Sequence, residues 1–444
     1  MAEINPDRLE SWKEIAAFVG RTERTAMRWA NEGMPVQKRR GRVHASREAI
    51  NQWLRSHPEE ESESEIASPP TSKGQVRNKW VLIGTATSFT ALVVGIVLMS
   101  YSRTIAQPAL PSRVAFAEDG FAVFDGAEHK LWAYNFSKHL DKSVFARGES
   151  LENLVRVEDF RGDGDREVLV VAPLRAGPNP DDMFQVEVDF FSSRGRLLWS
   201  YIPQGSFQFG EHKLEGPWNV FDLYVSDENS KKTIWLSAVH YIWGNSFIAQ
   251  LDPATGKADI RFVNTGIVYN LNELKTPSGT FLLAAGFNNE YDSGSLAIIN
   301  ERQPFAASPQ TSGTRHKCVS CADGAPDYYF VFPRSEINQV EKVHEDPVRR
   351  TKVTGQGIEV FKYELRDVEG VETFYSLRTE PTIEPVSLRY GSDYDMLHRQ
   401  LSAQKKLDHS LDACPERLHP KPIRMWTPTS GWTDVRLKPS RSSD

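Results

Sequence analysis

Nine residues concentrate more potential chemistry than any other stretch of this chain. Asp159-Phe160-Arg161-Gly162-Asp163-Gly164-Asp165-Arg166-Glu167 sets four carboxylates around two glycines. Carboxylates at alternate loop positions can converge on a hard cation, and glycine permits the tight turn that brings them together. Arg161 works against this, because a guanidinium within the loop repels a cation and can pair with a carboxylate instead. Cys318-Val319-Ser320-Cys321 is the second distinctive stretch. A local disulfide is expected there; a bridge from one of the two to Cys414 and a zinc site with His316 are the alternatives. A c-type haem would need histidine directly after the second cysteine, where Ala322 stands. The third stretch is basic: Arg21 to Arg55 holds nine Lys/Arg against three acidic residues. No P-loop, His-Glu-x-x-His or Gly-x-Ser-x-Gly occurs. His240, His398, His409 and His419 are scattered, and residues 392–419 read as a solvated helix and tail. The expectation is therefore a protein that is not an enzyme and carries no cofactor, with calcium in the acidic loop as the one candidate.

The 444 residues are 39% hydrophobic and 25% charged, which excludes a wholly disordered chain. Three cysteines exclude a disulfide-dense scaffold. The net charge of −6 is unevenly spread: residues 1–57 carry +4, 58–79 carry −2, and 103–444 carry −8. Trp80 to Tyr101 runs 22 residues without a charge, long enough as a helix to cross a hydrocarbon core of about 30 Å. Lys73, Arg77 and Lys79 precede it and only Arg103 follows closely, so a single-pass bacterial inner-membrane protein with a cytoplasmic N-terminus is expected. Gly84/Ser88 and Ala91/Gly95 are small-residue pairs of the kind that lets two such helices approach, which suggests a homodimer. Residues 58–79, rich in Glu, Ser and Pro, read as a disordered linker.

Ahead of the linker, residues 1–57 show helix punctuation. Ser11 and Glu14 form a capping box before Ile15, Phe18 and Val19. Thr22 can cap a second helix to about Asn31, ended by Gly33 and Pro35. Lys38-Arg39-Arg40-Gly41-Arg42 then reads as the basic turn of a hairpin, and Ser46 as the cap of a third helix. Trp12-Lys13-Glu14-Ile15-Ala16, Thr22-Glu23-Arg24-Thr25, Arg28-Trp29, Glu32-Gly33-Met34-Pro35 and Trp53-Leu54 together resemble the excisionase/MerR-type winged helix-turn-helix. The resemblance implies double-stranded DNA as partner, contacted by Arg21, Thr22, Arg24, Thr25 and Arg28 on the second helix and by Lys38, Arg39, Arg40 and Arg42 on the wing.

After Pro111 the pattern becomes short apolar runs: Val168–Val171, Gln185–Phe191, Thr233–Val239 and Phe281–Ala285 read as strands. No long amphipathic helix is expected until about Ser392 to Leu411. Leu131-Trp132-Ala133-Tyr134 and Leu198-Trp199-Ser200-Tyr201 repeat, and the turn ending in Gly195 recurs at Gly256. Val157–Val171, Val220–Ala238 and Leu271–Ala285 form a second set of related stretches. A repeat of roughly 60 residues built of strands suggests propeller blades, with a β-sandwich as the alternative. The acidic loop resembles an FG-GAP/VCBS-type repeat. That resemblance implies calcium held by Asp159, Asp163 and Glu167, with Asp165 offering its carbonyl; a metal-free turn is the alternative. The Leu-Trp-x-Tyr element resembles quinoprotein-like propellers, which implies that Trp132 and Trp199 dock one blade onto the next.

The fold class expected is multidomain. A small α-helical winged helix-turn-helix (1–57) is followed by the linker (58–79) and a transmembrane helix (80–101). A mainly β, propeller-like outer domain (112–310) and a β-rich extension with a helix near 392–411 (311–444) complete it. The expected function is a membrane-anchored one-component transcriptional regulator whose outer domain senses an unknown ligand or protein. The rival is an extracytoplasmic interaction or adhesion protein in which the N-terminal domain serves only protein contact.

Overall fold

Runs of β-branched and aromatic residues broken by Gly, Asp or Asn favour strands, and the structure is mainly β, with several sheets and none closed on itself. The computed structural model describes residues 8–9, 11–19, 29–30, 34–39, 42–47, 49–50 and 53, and residues 109–437 apart from 118, 142–153, 178–182, 229–230, 312–314, 344 and 366–370. Residues Met1–Val97 and Leu98–Asp444 form two compact units.

In the first unit, Ser11 Oγ accepts from the Glu14 amide at 3.2 Å and starts the helix Trp12–Val19. Strands Arg8–Leu9, Val36–Arg39 and Arg42–Ser46 form an antiparallel sheet with Arg42–Ser46 in the centre. Leu9, Ile15, Ala16, Trp29, Met34, Val43, Ala45 and Ile50 make its core.

Two expectations are corrected. The longest helix among the described residues, Ser392–Ala403, has 12 residues and reaches roughly 18 Å. Among the described residues no helix is long and apolar enough to cross a membrane. The single-pass inner-membrane placement is overturned on that finding; residues 80–101 themselves lie outside the described residues. The DNA-binding helix-turn-helix is overturned as well. The fold is mainly β with few helices, and among the described residues the first unit shows the eight-residue helix Trp12–Val19 and isolated helical positions at 29–30, 47, 49–50 and 53 beside a three-stranded sheet. Arg21, Thr22, Arg24, Thr25, Arg28 and Arg40 lie outside the described residues, while Lys38, Arg39 and Arg42 sit on the hairpin strands, with Arg39 paired across from Arg42.

The second unit opens with a three-stranded sheet, Arg113–Ala117, Gly120–Phe124 and Lys130–Asn135. Four antiparallel meanders follow. The first comprises Val155–Glu158, Glu167–Arg175, Phe184–Phe191 and Leu197–Tyr201, with His139–Leu140 sharing the edge of Glu167–Arg175. The second comprises Trp218–Glu228, Lys231–His240, Ser246–Leu251 and Ala258–Asn264. The third comprises Val268–Thr276, Gly279–Asn288, Ser293–Asn300 and Tyr328–Val331, and the final hairpin Ile423–Thr427/Gly431–Val435 extends it. The fourth comprises Val348–Thr354, Gly357–Tyr363, Glu372–Arg378 and Glu384–Tyr390. Second strands such as Glu167–Arg175 are buried on both faces, which is why Val168-Leu169-Val170-Val171 is continuously apolar rather than alternating.

Two repeated devices join neighbouring sheets. Trp132 donates from Nε1 to the Ser193 carbonyl (3.0 Å), and Trp199 donates to the Pro253 carbonyl (2.8 Å). Each indole lies on the glycine of the next turn. A Cβ on Gly195 would come within 2.7 Å of the Trp132 ring, and one on Gly256 within 2.6 Å of the Trp199 ring. Both glycines also have positive φ, 80° and 69°, so no other residue suits the turn.

The second device is a β-bulge at one place in three first strands: Val220/Asp222, Val268/Asn270 and Val348/Arg350. The residues skipped by the pairing stack on one another across sheets, Phe221 edge-on to Tyr269 (5.6 Å) and Arg349 over Tyr269 (4.0 Å). Near each bulge a side chain from the preceding sheet meets the backbone. Asp222 Oδ2 accepts from the Leu271 amide (2.6 Å), and Asn270 Oδ1 accepts from the Thr351 amide (3.0 Å).

The unit also buries charge. Lys362 is fully enclosed, with Nζ 2.6 Å from Asp346 Oδ2 and 2.9 Å from Glu364 Oε2. Lys362 stays charged, since its two partners outweigh the burial that opposes its charge. One lysine cannot neutralise two buried carboxylates, and Glu364 additionally accepts from the Thr373 hydroxyl (2.5 Å). Burial accordingly raises Asp346 to about 7 despite Lys362. Burial also raises Asp189 to about 6, and Glu301, beside Glu273, to about 7.

Two predictions follow from this packing. Gly256→Ala combines a positive φ with a clash against an indole and should cost about 2–4 kcal/mol. Gly126→Ala, whose Cβ would meet nothing within 4 Å, should be nearly neutral; urea unfolding followed by tryptophan fluorescence measures both. For the three carboxyls, folded pKa values above the unfolded value of about 4 mean that the folded state holds the extra protons. Stability should therefore fall as pH rises from about 4 to about 7. A melting midpoint lower at pH 8 than at pH 5, with the difference reduced in Asp189→Asn and Asp346→Asn, is the expected calorimetric result.

Candidate functional site

Between the fourth meander and the final hairpin the chain makes a helical excursion, and four side chains of metal-ligand type converge there. Ser335 caps the short helix Glu336–Val340 by accepting from the Asn338 amide (3.1 Å), which fixes Glu336 in its first turn. The helix Ser392–Ala403 buries Tyr394, His398 and Leu401, so a histidine lies on its apolar face. Tyr394 and Leu401 pack with Ile337, Val371 and Leu407. His409 follows in the loop after that helix, and Cys414 precedes Pro415, the first residue of the helix Pro415–Leu418.

The four ligand atoms lie within 4.8 Å of one another. Glu336 Oε1 is 2.8 Å from His398 Nε2, 3.3 Å from His409 Nε2 and 3.0 Å from Cys414 Sγ. The two Nε2 atoms are 3.3 Å apart. His398 and Cys414 are buried, while Glu336 and His409 each keep a narrow exposed edge. Around them, His409 Nδ1 meets Asp408 Oδ1 at 2.9 Å, and Ser402 Oγ lies 3.5 Å from His398 Nδ1 while donating to the His409 carbonyl (2.7 Å). Burial, then Glu336, push the Cys414 thiol up to about 12.

None of this was read from the sequence, which placed His398 and His409 on a solvated face and Cys414 only as a disulfide alternative. The available signal was His398 three residues before Leu401 and four after Tyr394, a polar residue in the apolar stripe of a helix.

The residues that sequence analysis did single out are placed differently. In the acidic loop, Asp159 Oδ1 accepts from the amides of Gly162 (2.6 Å) and Asp163 (3.2 Å), and Oδ2 from Gly164 (3.0 Å). Desolvation pushes this carboxyl up, but its several backbone donors outweigh that and hold it below the usual range. Buried Glu167 accepts from the Phe160 amide (3.0 Å) and pairs with the Arg161 guanidinium (2.6 Å), which also reaches Asp163 (3.2 Å). Asp165 accepts from the Ser193 hydroxyl (3.2 Å) on the turn that receives Trp132. The loop's charges are thus met from within the protein. Cys318 and Cys321 are joined by a disulfide, with Cα atoms 5.6 Å apart. The short loop it closes is held to the small hairpin Phe207–Phe209/His212–Leu214 by hydrogen bonds, Gln208 N donating to Ser320 Oγ (2.8 Å) and Val319 N to the Gln208 carbonyl (2.7 Å).

A second feature lies at the turn between strands Lys231–His240 and Ser246–Leu251. Tyr241, Ile242 and Trp243 are 54%, 72% and 54% exposed, yet the turn is held firmly. Buried His240 accepts at Nδ1 from the amides of Ile242 and Trp243, both at 3.2 Å. Burial keeps that imidazole neutral by lowering its pKa. Tyr241 packs on Phe184 (5.6 Å) and Trp243 stacks on His212 (5.5 Å). Asn289 Nδ2 donates to the Trp243 carbonyl (3.2 Å).

No family model matches the chain, and no curated protein matches it. The resemblances to excisionase/MerR-type and FG-GAP/VCBS-type domains therefore gain nothing from these comparisons. Among solved structures, one titled "Crystal structure of the eukaryotic initiation factor" aligns over 62% of this chain at 10% identity with a TM-score of 0.26. The chain spans 62% of that protein's length, and a similarity this low carries no argument about fold or function.

Proposed function

We propose that residues 109–437 are a non-enzymatic, propeller-like scaffold that binds another protein through the Tyr241-Ile242-Trp243 turn. In this reading each four-strand meander is a blade, and the acidic loop is a metal-free turn in which Arg161 stands where a cation would. The observation that carries the reading is the turn itself. Three consecutive large apolar side chains face solvent while His240, Asn289, Phe184 and His212 hold their backbone and rings in place. Exposed apolar clusters mark contact surfaces, and aromatic anchors dominate binding energy. Fixing them before contact removes much of the ordering cost of association. The occupant that fits is a folded protein with an apolar cleft for Ile242 and Trp243. A basic rim on that cleft would complement the net charge of −8 over residues 103–444.

A photo-crosslinking amino acid at position 243 of the full chain, irradiated in the source cells, tests this. The expected result is one covalent protein adduct, reduced about tenfold by Ile242→Ser with Tyr241→Ser and reduced further by added salt. An adduct yield no greater than from the same amino acid at Asp434 would overturn the reading.

A further inference from the structure

We propose that Glu336, His398, His409 and Cys414 bind one zinc ion in a closed structural site. As a purely hydrogen-bonded cluster the arrangement is poorly matched. Asp408 accepts from His409 Nδ1 and the Ser402 hydroxyl faces His398 Nδ1. Those partners assign a proton to each Nδ1 and leave both Nε2 lone pairs directed inward. Inside they meet each other at 3.3 Å and a carboxylate oxygen at 2.8 and 3.3 Å. Lone pairs aimed at one point need a proton or a cation between them, and a single metal ion meets both imidazoles, the carboxylate and the thiol sulfur at once.

The donor set selects the ion. Two imidazoles, a thiolate and a carboxylate suit zinc, which takes nitrogen and oxygen at about 2.0–2.2 Å and sulfur at about 2.3 Å in a tetrahedron. Such a tetrahedron separates its ligand atoms by about 3.3–3.8 Å, so the 2.8–3.3 Å contacts would open by a few tenths of an ångström, while no pair of the four exceeds 4.8 Å. A thiolate and a carboxylate also cancel a charge of +2, leaving a buried site neutral. Copper bound by two histidines and a cysteine takes a long, weak fourth ligand; here Glu336 Oε1 is the atom nearest to all the others, a full ligand. Four protein ligands leave no open position, which marks a structural rather than a catalytic centre. The Asp408–His409 pair supplies the outer-shell carboxylate typical of metal-bound histidine.

The test uses the full chain, purified without added metal and analysed by elemental mass spectrometry. About one zinc per chain is expected, and less than a tenth of that in His398→Gln and Cys414→Ser. Should those variants fail to fold, two readouts remain. Asp408 is fully exposed, so Asp408→Asn keeps the fold and should weaken zinc affinity about tenfold to a hundredfold, measured by competition with a coloured chelator. Cobalt added to the chelator-stripped wild type should give visible bands of tetrahedral cobalt together with a thiolate charge-transfer band. A chain without zinc whose cobalt spectrum is that of the free ion would overturn the proposal. So would stoichiometric copper, or equal zinc affinities of wild type and Asp408→Asn.

Discussion

Everything in the larger unit depends on satisfying backbone amides where a sheet is covered on its edge and both faces. A bulge bends a strand so that the next sheet can pack against it, and it takes a residue out of the hydrogen-bond ladder. In the interior an amide left without a partner costs about 1–3 kcal/mol. Asp222 meets the Leu271 amide and Asn270 meets the Thr351 amide, so the bulges of the third and fourth meanders are each met by the sheet before. Asp222 also accepts from the Leu223 amide and the Asn270 side chain. The bond that satisfies one sheet therefore orients the side chain that satisfies the next. The residues freed by the bulges, Phe221, Tyr269 and Arg349, stack along the same line. Indole on glycine joins the opening sheet to the first meander and the first to the second, and these polar and aromatic contacts join the second meander to the third and the third to the fourth.

Much of this was legible because it rests on local chemistry. Two buried faces demand continuous apolar runs, and Val168–Val171 and Phe281–Ala285 lie within strands for that reason. Trp132 and Trp199 recur ahead of Gly195 and Gly256 because the docking contact needs an indole on one partner and no Cβ on the other. The bulges were not legible. Asp222 and Asn270 are ordinary polar residues in sequence, and only the register shows that the pairing skips Phe221 and Tyr269. At the acidic loop, the discordant Arg161 pairs with Glu167 and Asp163, the internal pairing that its charge among carboxylates suggests. In the N-terminal unit the Ser11 cap and the Val36–Arg39/Arg42–Ser46 hairpin were readable from capping and turn chemistry.

The metal-type cluster escaped because its members come from distant segments. Glu336 is 62 residues from His398 and 78 from Cys414, so no short motif could hold them. Its histidines are separated by 11 residues, about 16 Å along a helix and too far apart for two ligands of one helix to meet one ion. What brings them together is the return of the chain from the fourth meander to the third sheet, a tertiary event without a local signature.

That return also explains why such a cluster belongs there. Between Tyr390 and Ile423 the chain leaves the sheets and comes back to pair Ile423–Thr427 with Tyr328–Val331. Among the described residues the excursion packs Tyr394, Leu401 and Leu407 with Ile337 and Val371, and Val340, Leu365, Tyr390 and Leu397 lie partly buried against them. That is a small apolar core for a segment that contributes no strand to a sheet between Tyr390 and Ile423. Elements too small to pack themselves require a crosslink, and metal ions and disulfides are the usual ones. The disulfide of this unit is spent at Cys318–Cys321 on another loop. A zinc ion joining Glu336 to His398, His409 and Cys414 would tie the helical excursion to the segment leaving Tyr328–Val331, and with it the hairpin that completes the third sheet.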